Sequence, residues 1–384
     1  MDFHGCDANR NLAFLSHVSA GVSGLRPYQP GMPIEELQRR LGIADAVKLA
    51  SNENPLGASP KVATALARAV ATNLALYPDD GAFRLKRMLA ERHGVTPESI
   101  TLCNGSNTLL DLYARVFLGP DRAAMYSQYA FAVYPIVTAA QNAPAVVIPA
   151  LPPDHPQMPY GDNLEEFAAH LREDVALIFL ASPNNPTGTW VSAEAFERFM
   201  ARVPARTLVV LDEAYHEFQA PRLRIDSAAL LLRYPNLAVT RTFSKAFGLA
   251  GLRVGYGVSH PRVADLLGRV RQPFNNGTLA LVAAQASLDD VAHIEATVAN
   301  NDVERERMTQ HLRALGLQVL PSQANFVTLD LGRDAAPVHQ ALLESGVIVR
   351  PMKSYGLLQC LRVSIGLPSH NRRFLDALKR ALER

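Results

Sequence analysis

Thr242-Phe243-Ser244-Lys245, followed by a turn at Gly248 and by Arg253, puts an amine, two hydroxyls and a guanidinium into one short segment. A lysine held at the end of an apolar run can form a Schiff base with an aldehyde, while the donors beside it hold an anion. A solvated lysine is the commoner use of that residue, but it gives no account of Ser244, the glycines or Arg253. Asp212-Glu213-Ala214-Tyr215 closes a second apolar run. A carboxylate in that position is costly without a positive partner, and a protonated ring nitrogen would be one; a loop-capping Asp is the plain alternative. Asn104-Gly105-Ser106-Asn107 offers a glycine, a hydroxyl and free N–H groups at a helix start, suited to a phosphate or simply to capping. In Ser182-Pro183-Asn184-Asn185-Pro186-Thr187-Gly188, prolines and a glycine lock a turn that aims an amide side chain. Arg362 lies inside the apolar run Cys360-Leu361-Arg362-Val363, where a guanidinium needs an anion: a bound carboxylate or a neighbouring acid. Tyr129 could stack on a flat ring or pack in the core.

These residues need a scaffold that brings strand ends together. Short apolar runs at 100–103, 122–126, 145–149, 175–180, 208–211 and 237–240 read as buried strands of a mostly parallel sheet, several of them separated by helical segments. Amphipathic helices are predicted at 60–70 and 82–92, and a further helix runs from the 104–107 turn to Phe117. The pattern is α/β, with a sheet covered on both faces and ligands gathering beyond the carboxyl ends of its strands. From 280 a long helix to 313 precedes strand-like runs at 319–329, 347–351 and 361–365, which suggest a smaller α+β lobe. The expected division is an N-terminal arm with part of the small domain (1–58), a large domain (59–279) and a small C-terminal domain (280–384).

The 384 residues are 48% apolar and carry a formal charge of +2, which excludes the basic footprint of a nucleic-acid-binding protein and marks a globular chain with a large core. Cys6, Cys103 and Cys360 are few and widely spaced, arguing against a disulfide framework or a metal site and for a reducing compartment. The first residues carry no basic, apolar leader pattern, and no run approaches the roughly 20 apolar residues of a membrane span. A cytoplasmic protein is expected. No G-x-G-x-x-G follows an early strand, which disfavours a dinucleotide-binding dehydrogenase.

Taken together, these residues resemble the fold-type I pyridoxal-phosphate enzymes, in particular the class I and II aminotransferases. Ser51-Asn52-Glu53-Asn54-Pro55-Leu56-Gly57, Tyr77-Pro78-Asp79 and the segments at 182–188, 212–218 and 242–255 are similar to the branch of that family acting on histidinol phosphate. The resemblance implies a large domain with a mostly parallel sheet and a smaller α+β domain. It implies that Lys245 carries pyridoxal 5'-phosphate and acts as general base, and that Asp212 pairs with the ring nitrogen. Tyr215 and Asn185 would bond the ring hydroxyl, Tyr129 would stack on the ring, and Gly105, Ser106, Asn107, Ser244 and Arg253 would hold the phosphate. Tyr77 would reach the cofactor of a neighbouring subunit, implying a homodimer with shared sites. Arg362, helped by Asn185, would take the substrate carboxylate; Arg350, Tyr28 and Asn54 are the other substrate candidates. The implied partners are a small amino donor and 2-oxoglutarate. The chain departs from the family pattern at Asn107-Thr108, where two acids are usual, and at Ser127-Gln128, where Pro-Thr is usual. Aromatic amino acids as donors, and a decarboxylase on the same fold, stay open as alternatives.

Overall fold

The computed structural model describes residues 12–27, 31–43, 45–71 and 74–383. In chain order its strands are β1 (Val47–Lys48), β2 (Ile100–Cys103), β3 (Ala123–Ser127), β4 (Ala145–Ile148), β5 (Val175–Ala181), β6 (Leu208–Asp212), β7 (Leu237–Thr242) and β8 (Gly255–Ser259). The C-terminal part adds β9 (Gln318–Val319), β10 (Phe326–Asp330), β11 (Val347–Ile348), β12 (Arg350–Pro351) and β13 (Cys360–Ser364). Seven strands form the main sheet in the order β2-β8-β7-β6-β5-β3-β4. The pairs from β7 through β6, β5 and β3 to β4 are parallel, whereas β8 runs antiparallel to both β7 and β2. Two reversals leave β2 pointing the same way as the parallel strands, so its carboxyl end opens on the same edge.

Alternation along the strands builds two cores. Leu177, Phe179 and Val210 face one side with Leu109 and Tyr113 of the helix Ser106–Phe117. Ile178, Leu180, Val209 and Leu211 face the other with Phe167, Phe196 and Phe199. Burial on both faces explains why these runs read as continuously apolar.

A four-stranded antiparallel sheet, β12-β13-β10-β9, forms a second lobe, and β1 pairs in parallel with β11 beside it. Leu49 packs in this lobe's core with Val327, Val363 and Phe374. The single helix expected over 280–313 is instead two, Thr278–Leu288 and Val291–Ala314. The break falls at Asp289-Asp290, where the Asp290 carboxylate accepts from Ser59 Oγ and lies 3.8 Å from Lys61 Nζ. The first of the two buries Ala280, Leu281, Ala283 and Ala284 with Phe243 and Val254 of the large lobe, so the two cores part after this helix. The run at 319–329 is two strands around a turn, and β8, with its two glycines, was not expected as a strand.

Candidate active site

β5, β6 and β7 stop at Ala181, Asp212 and Thr242, and a cavity of about 260 Å³ opens beyond them. Its walls carry Ser106, Asn107, Asn185, Asp212, Tyr215, Ser244, Lys245, Arg253, Arg350 and Arg362, together with Asn52 and Phe131.

One end is a cradle for an anion. The helix Ser106–Phe117 starts there with no side chain capping its first turn, leaving N–H groups and the helix dipole facing the cavity. Gly105, at φ 80°, precedes it, and a Cβ on this residue would stand 2.7 Å from Arg253 Nη2. Arg253 has a left-handed backbone (φ 53°) that turns its guanidinium inward. There it donates to Ser244 Oγ at 3.2 Å, Ala250 O at 3.0 Å and Asn104 O at 3.4 Å. A hydroxyl, a guanidinium and a helix N-terminus thus converge as a phosphate requires.

At the other end Asp212 lines the cavity, while its neighbour Glu213 lies outside it, and the two acids have opposite fates. Asp212, 4% exposed, accepts from Thr240 Oγ1 and from the Tyr134 hydroxyl, each at 3.0 Å. Burial pushes its pKa up to about 6. After burial, the groups that act on it most are those hydroxyls, the Ala214 N–H and the repelling Glu213, and it forms no ion pair among the described residues. Glu213 sits 2.7 Å from Arg241, which with His216 outweighs the cost of burial and draws its pKa down to about 2. Asp212 is therefore a carboxylate that lacks the positive partner its neighbour has, and it lines a cavity. A protonated pyridine nitrogen supplies that partner, and the cradle at the far end suits a phosphate on the same ring. The residues fit pyridoxal phosphate.

Lys245 Nζ donates to Ser51 O at 3.1 Å and lies 5.7 Å from the centre of the Tyr215 ring. Burial first, and then the nearby Arg362, pull its pKa down to about 8, which favours the neutral amine a nucleophile and base requires. The Tyr215 hydroxyl accepts from Asn52 Nδ2 at 2.9 Å, and burial raises its pKa to about 12. Arg362 donates to Asn185 Oδ1 and, at 2.8 Å, to Ala50 O, with its guanidinium carbon 5.2 Å from the Phe326 ring centre. Arg350 stands opposite Arg362 in the β12–β13 register, and both line the cavity.

Two of the expected residues do not line the cavity, and two others are left untested by a single chain. Tyr129 does not line the cavity: it packs edge-on against Tyr160 (5.4 Å) beside Leu320, Met352 and Leu357, and Phe131, two residues on, is an aromatic residue that does line it. Asn54 lies outside as well. Its amide donates to Ala246 O and Thr297 Oγ1 and its oxygen accepts from the Leu56 N–H, while Asn52 takes the place at the cavity. Tyr77 is 82% exposed at the surface, stacked on Phe274 at 4.6 Å, away from the cavity of its own chain. Tyr28 lies outside the described residues. Tyr134 and Thr240 were missed altogether, although Thr240 sits in the strand beside Asp212 and could have been found from that register.

Residues 44–378 match the family described as aminotransferase class I and II. A histidinol-phosphate aminotransferase of Pseudomonas aeruginosa is 52% identical over 371 residues, covering 96% of this chain and 98% of that protein. One from Mannheimia succiniciproducens is 48% identical, covering 97% and 99%. Among solved structures, a histidinol-phosphate aminotransferase of Sinorhizobium meliloti in complex with pyridoxal-5'-phosphate superposes with a TM-score of 0.85 at 28% identity, covering 96% of this chain and 98% of that one.

Proposed function

The chain belongs to the class I and II aminotransferases, and from that premise we propose that it moves the amino group of L-histidinol phosphate to 2-oxoglutarate, giving imidazole acetol phosphate and L-glutamate. It is a pyridoxal-phosphate-dependent enzyme. When bound, the cofactor supplies an aldehyde that captures the amino group and a ring that accepts the electron pair left when the substrate's Cα proton departs. Everything else falls to the protein.

Ser106, Asn107, Ser244, Arg253 and the N–H groups of the helix Ser106–Phe117 hold the cofactor phosphate. Asp212 holds the proton on the ring nitrogen, Tyr215 and Asn185 bond the ring hydroxyl, and Phe131 covers a face. Lys245 would hold the cofactor through its aldehyde and, once the substrate's amine takes its place, its Nζ would be the base that takes the substrate's Cα proton and the acid that gives it back. An amine with a pKa near 8 does both near neutral pH. The half-reactions alternate at one site, so donor and acceptor bind in turn.

The observation that carries the choice of donor is the pair of arginines facing one another across β12 and β13 in the cavity wall. Histidinol phosphate has no α-carboxylate; its phosphate occupies the corresponding place. Arg362 therefore meets a carboxylate on glutamate and a phosphate on the donor, and the second charge of the phosphate calls for Arg350. Phenylalanine, the natural donor for an aromatic aminotransferase, has no such charge. Replacing Arg350 with Ala is expected to lower kcat/KM for histidinol phosphate about tenfold or more and that for phenylalanine by much less. Equal losses, or a wild-type preference for phenylalanine, would remove the histidinol-phosphate assignment.

The enzyme works as a homodimer in which Tyr77 serves the partner's site. Its exposure, within an apolar patch that includes Leu74, Leu76 and Phe274, supports that reading. Its place is the cytoplasm, in keeping with the free, buried thiols of Cys103 and Cys360.

A further inference from the structure

Tyr134 stands behind the cavity, near the start of the helix Val133–Ala140, and is 1% exposed. Its ring stacks nearly parallel on Phe179, with centroids 4.8 Å apart, and meets Phe131 edge-on at 5.9 Å. A phenylalanine would make the same packing. The hydroxyl is the part that packing does not require, and burying one is unfavourable unless it is bonded. It donates to Asp212 Oδ2, while Thr240 Oγ1 donates to Oδ1. Each carboxylate oxygen thus has its own donor, one from β7 and one from a helix covering the sheet, and the carboxylate plane is held from both sides.

We propose that Tyr134 is a positioning residue for the reaction: its hydroxyl keeps Asp212 ionised and aimed, so that the ring nitrogen beyond it keeps its proton. The inference rests on the pyridoxal-phosphate reading above. Burial, and then the charge of Asp212, hold the Tyr134 phenol protonated, so it stays a donor. The other groups bearing on the pair are Glu213 on the same strand end, which repels the Asp212 charge, the Ala214 N–H, which supports it, and Asp162 and Tyr215, which act on the phenol. Without the Tyr134 hydroxyl the Asp212 carboxylate becomes more basic. The proton between Asp212 and the ring nitrogen then moves toward Asp212, and the ring loses the charge that makes it an electron sink.

The test is nitrogen-15 NMR of pyridoxal phosphate labelled at the ring nitrogen and bound to the full-length protein, in wild type, Tyr134→Phe and Thr240→Val. In wild type the signal is expected at the protonated position. In Tyr134→Phe it shifts toward the unprotonated position, kcat falls about tenfold and KM for the donor changes little, because a hydrogen bond to a charge is lost and no substrate contact is. Thr240→Val shifts it in the same sense. If Tyr134→Phe does not fold, 3-fluorotyrosine at position 134, a more acidic donor, must hold the signal at the protonated position to higher pH. An unchanged nitrogen signal in these variants, or a loss confined to KM, overturns the inference and leaves the cofactor reading standing. A wild-type protein that binds no labelled cofactor overturns both.

Discussion

Asp212 and Glu213 are adjacent in sequence, both buried, and pushed in opposite directions, because Arg241 offsets burial for Glu213 whereas Asp212 is buried with hydroxyl and N–H donors and no ion pair. In the cofactor-free protein the raised pKa of Asp212 has a sign that can be tested. A carboxyl more basic in the folded chain than its ordinary 3.8 favours folding while protonated, and that advantage is lost as pH rises through about 6. Asp212→Asn, neutral at every pH, should therefore gain stability over wild type as pH climbs from about 3.5 to 6.5, approaching about 3 kcal/mol and levelling off above that. Urea melts of the two cofactor-free proteins measure the gap; one that stays flat with pH contradicts the assignment. Loading pyridoxal phosphate should reverse the order, since only the Asp gains a charged partner. Lys245, Asp212 and Arg362 were legible in the sequence because a charge at the end of, or inside, an apolar run demands an explanation. Phe131 and Asn52 were not. Each lies two residues from the residue chosen, in a segment without a fixed side-chain period, and Asn52 takes a left-handed backbone (φ 56°) that its type does not announce.

At the scale of elements, the turn after Lys245 is braced against the loop before the helix Pro60–Val70. Gly248 has φ 69°, and a Cβ there would stand 2.2 Å from Gly57 O. Gly248→Ala meets both backbone strain and a collision with main chain. It should cost at least about 2 kcal/mol of stability and slow amino transfer by displacing Lys245. Denaturant melts paired with kcat decide this, and a variant of wild-type stability would show that the two loops move apart freely. The buried strands were readable because the sheet is covered on both faces. β8 escaped notice because Gly255 and Gly257 weaken its pattern; its strand character comes from pairing with β2 and β7, a tertiary effect. The helix break at Asp289-Asp290 was hidden for a similar reason, since it depends on Ser59 and Lys61 from far along the chain.

For the whole molecule, no helix among the described residues is long and apolar enough to cross a membrane. The exposed ring of Tyr77 makes the proposed sharing of sites testable by complementation. Lys245→Ala chains are expected to be inactive alone, and Tyr77→Ala chains to bind cofactor weakly. Refolded together, they should regain activity, because a mixed pair has one site with both Lys245 and a partner's intact Tyr77. No recovery beyond the sum of the separate proteins would place Tyr77 outside the partner's site. The central claim, amino transfer from histidinol phosphate in two half-reactions, is tested most directly by a single turnover. Pyridoxal-phosphate-loaded enzyme is mixed with L-histidinol phosphate in the absence of any oxo acid, and the products are counted. The expected result is about one equivalent of imidazole acetol phosphate per site, no carbon dioxide, and recovery of the starting cofactor spectrum with release of glutamate when 2-oxoglutarate is added. Failure to form the ketone, or its continued formation beyond one equivalent without an acceptor, would contradict it.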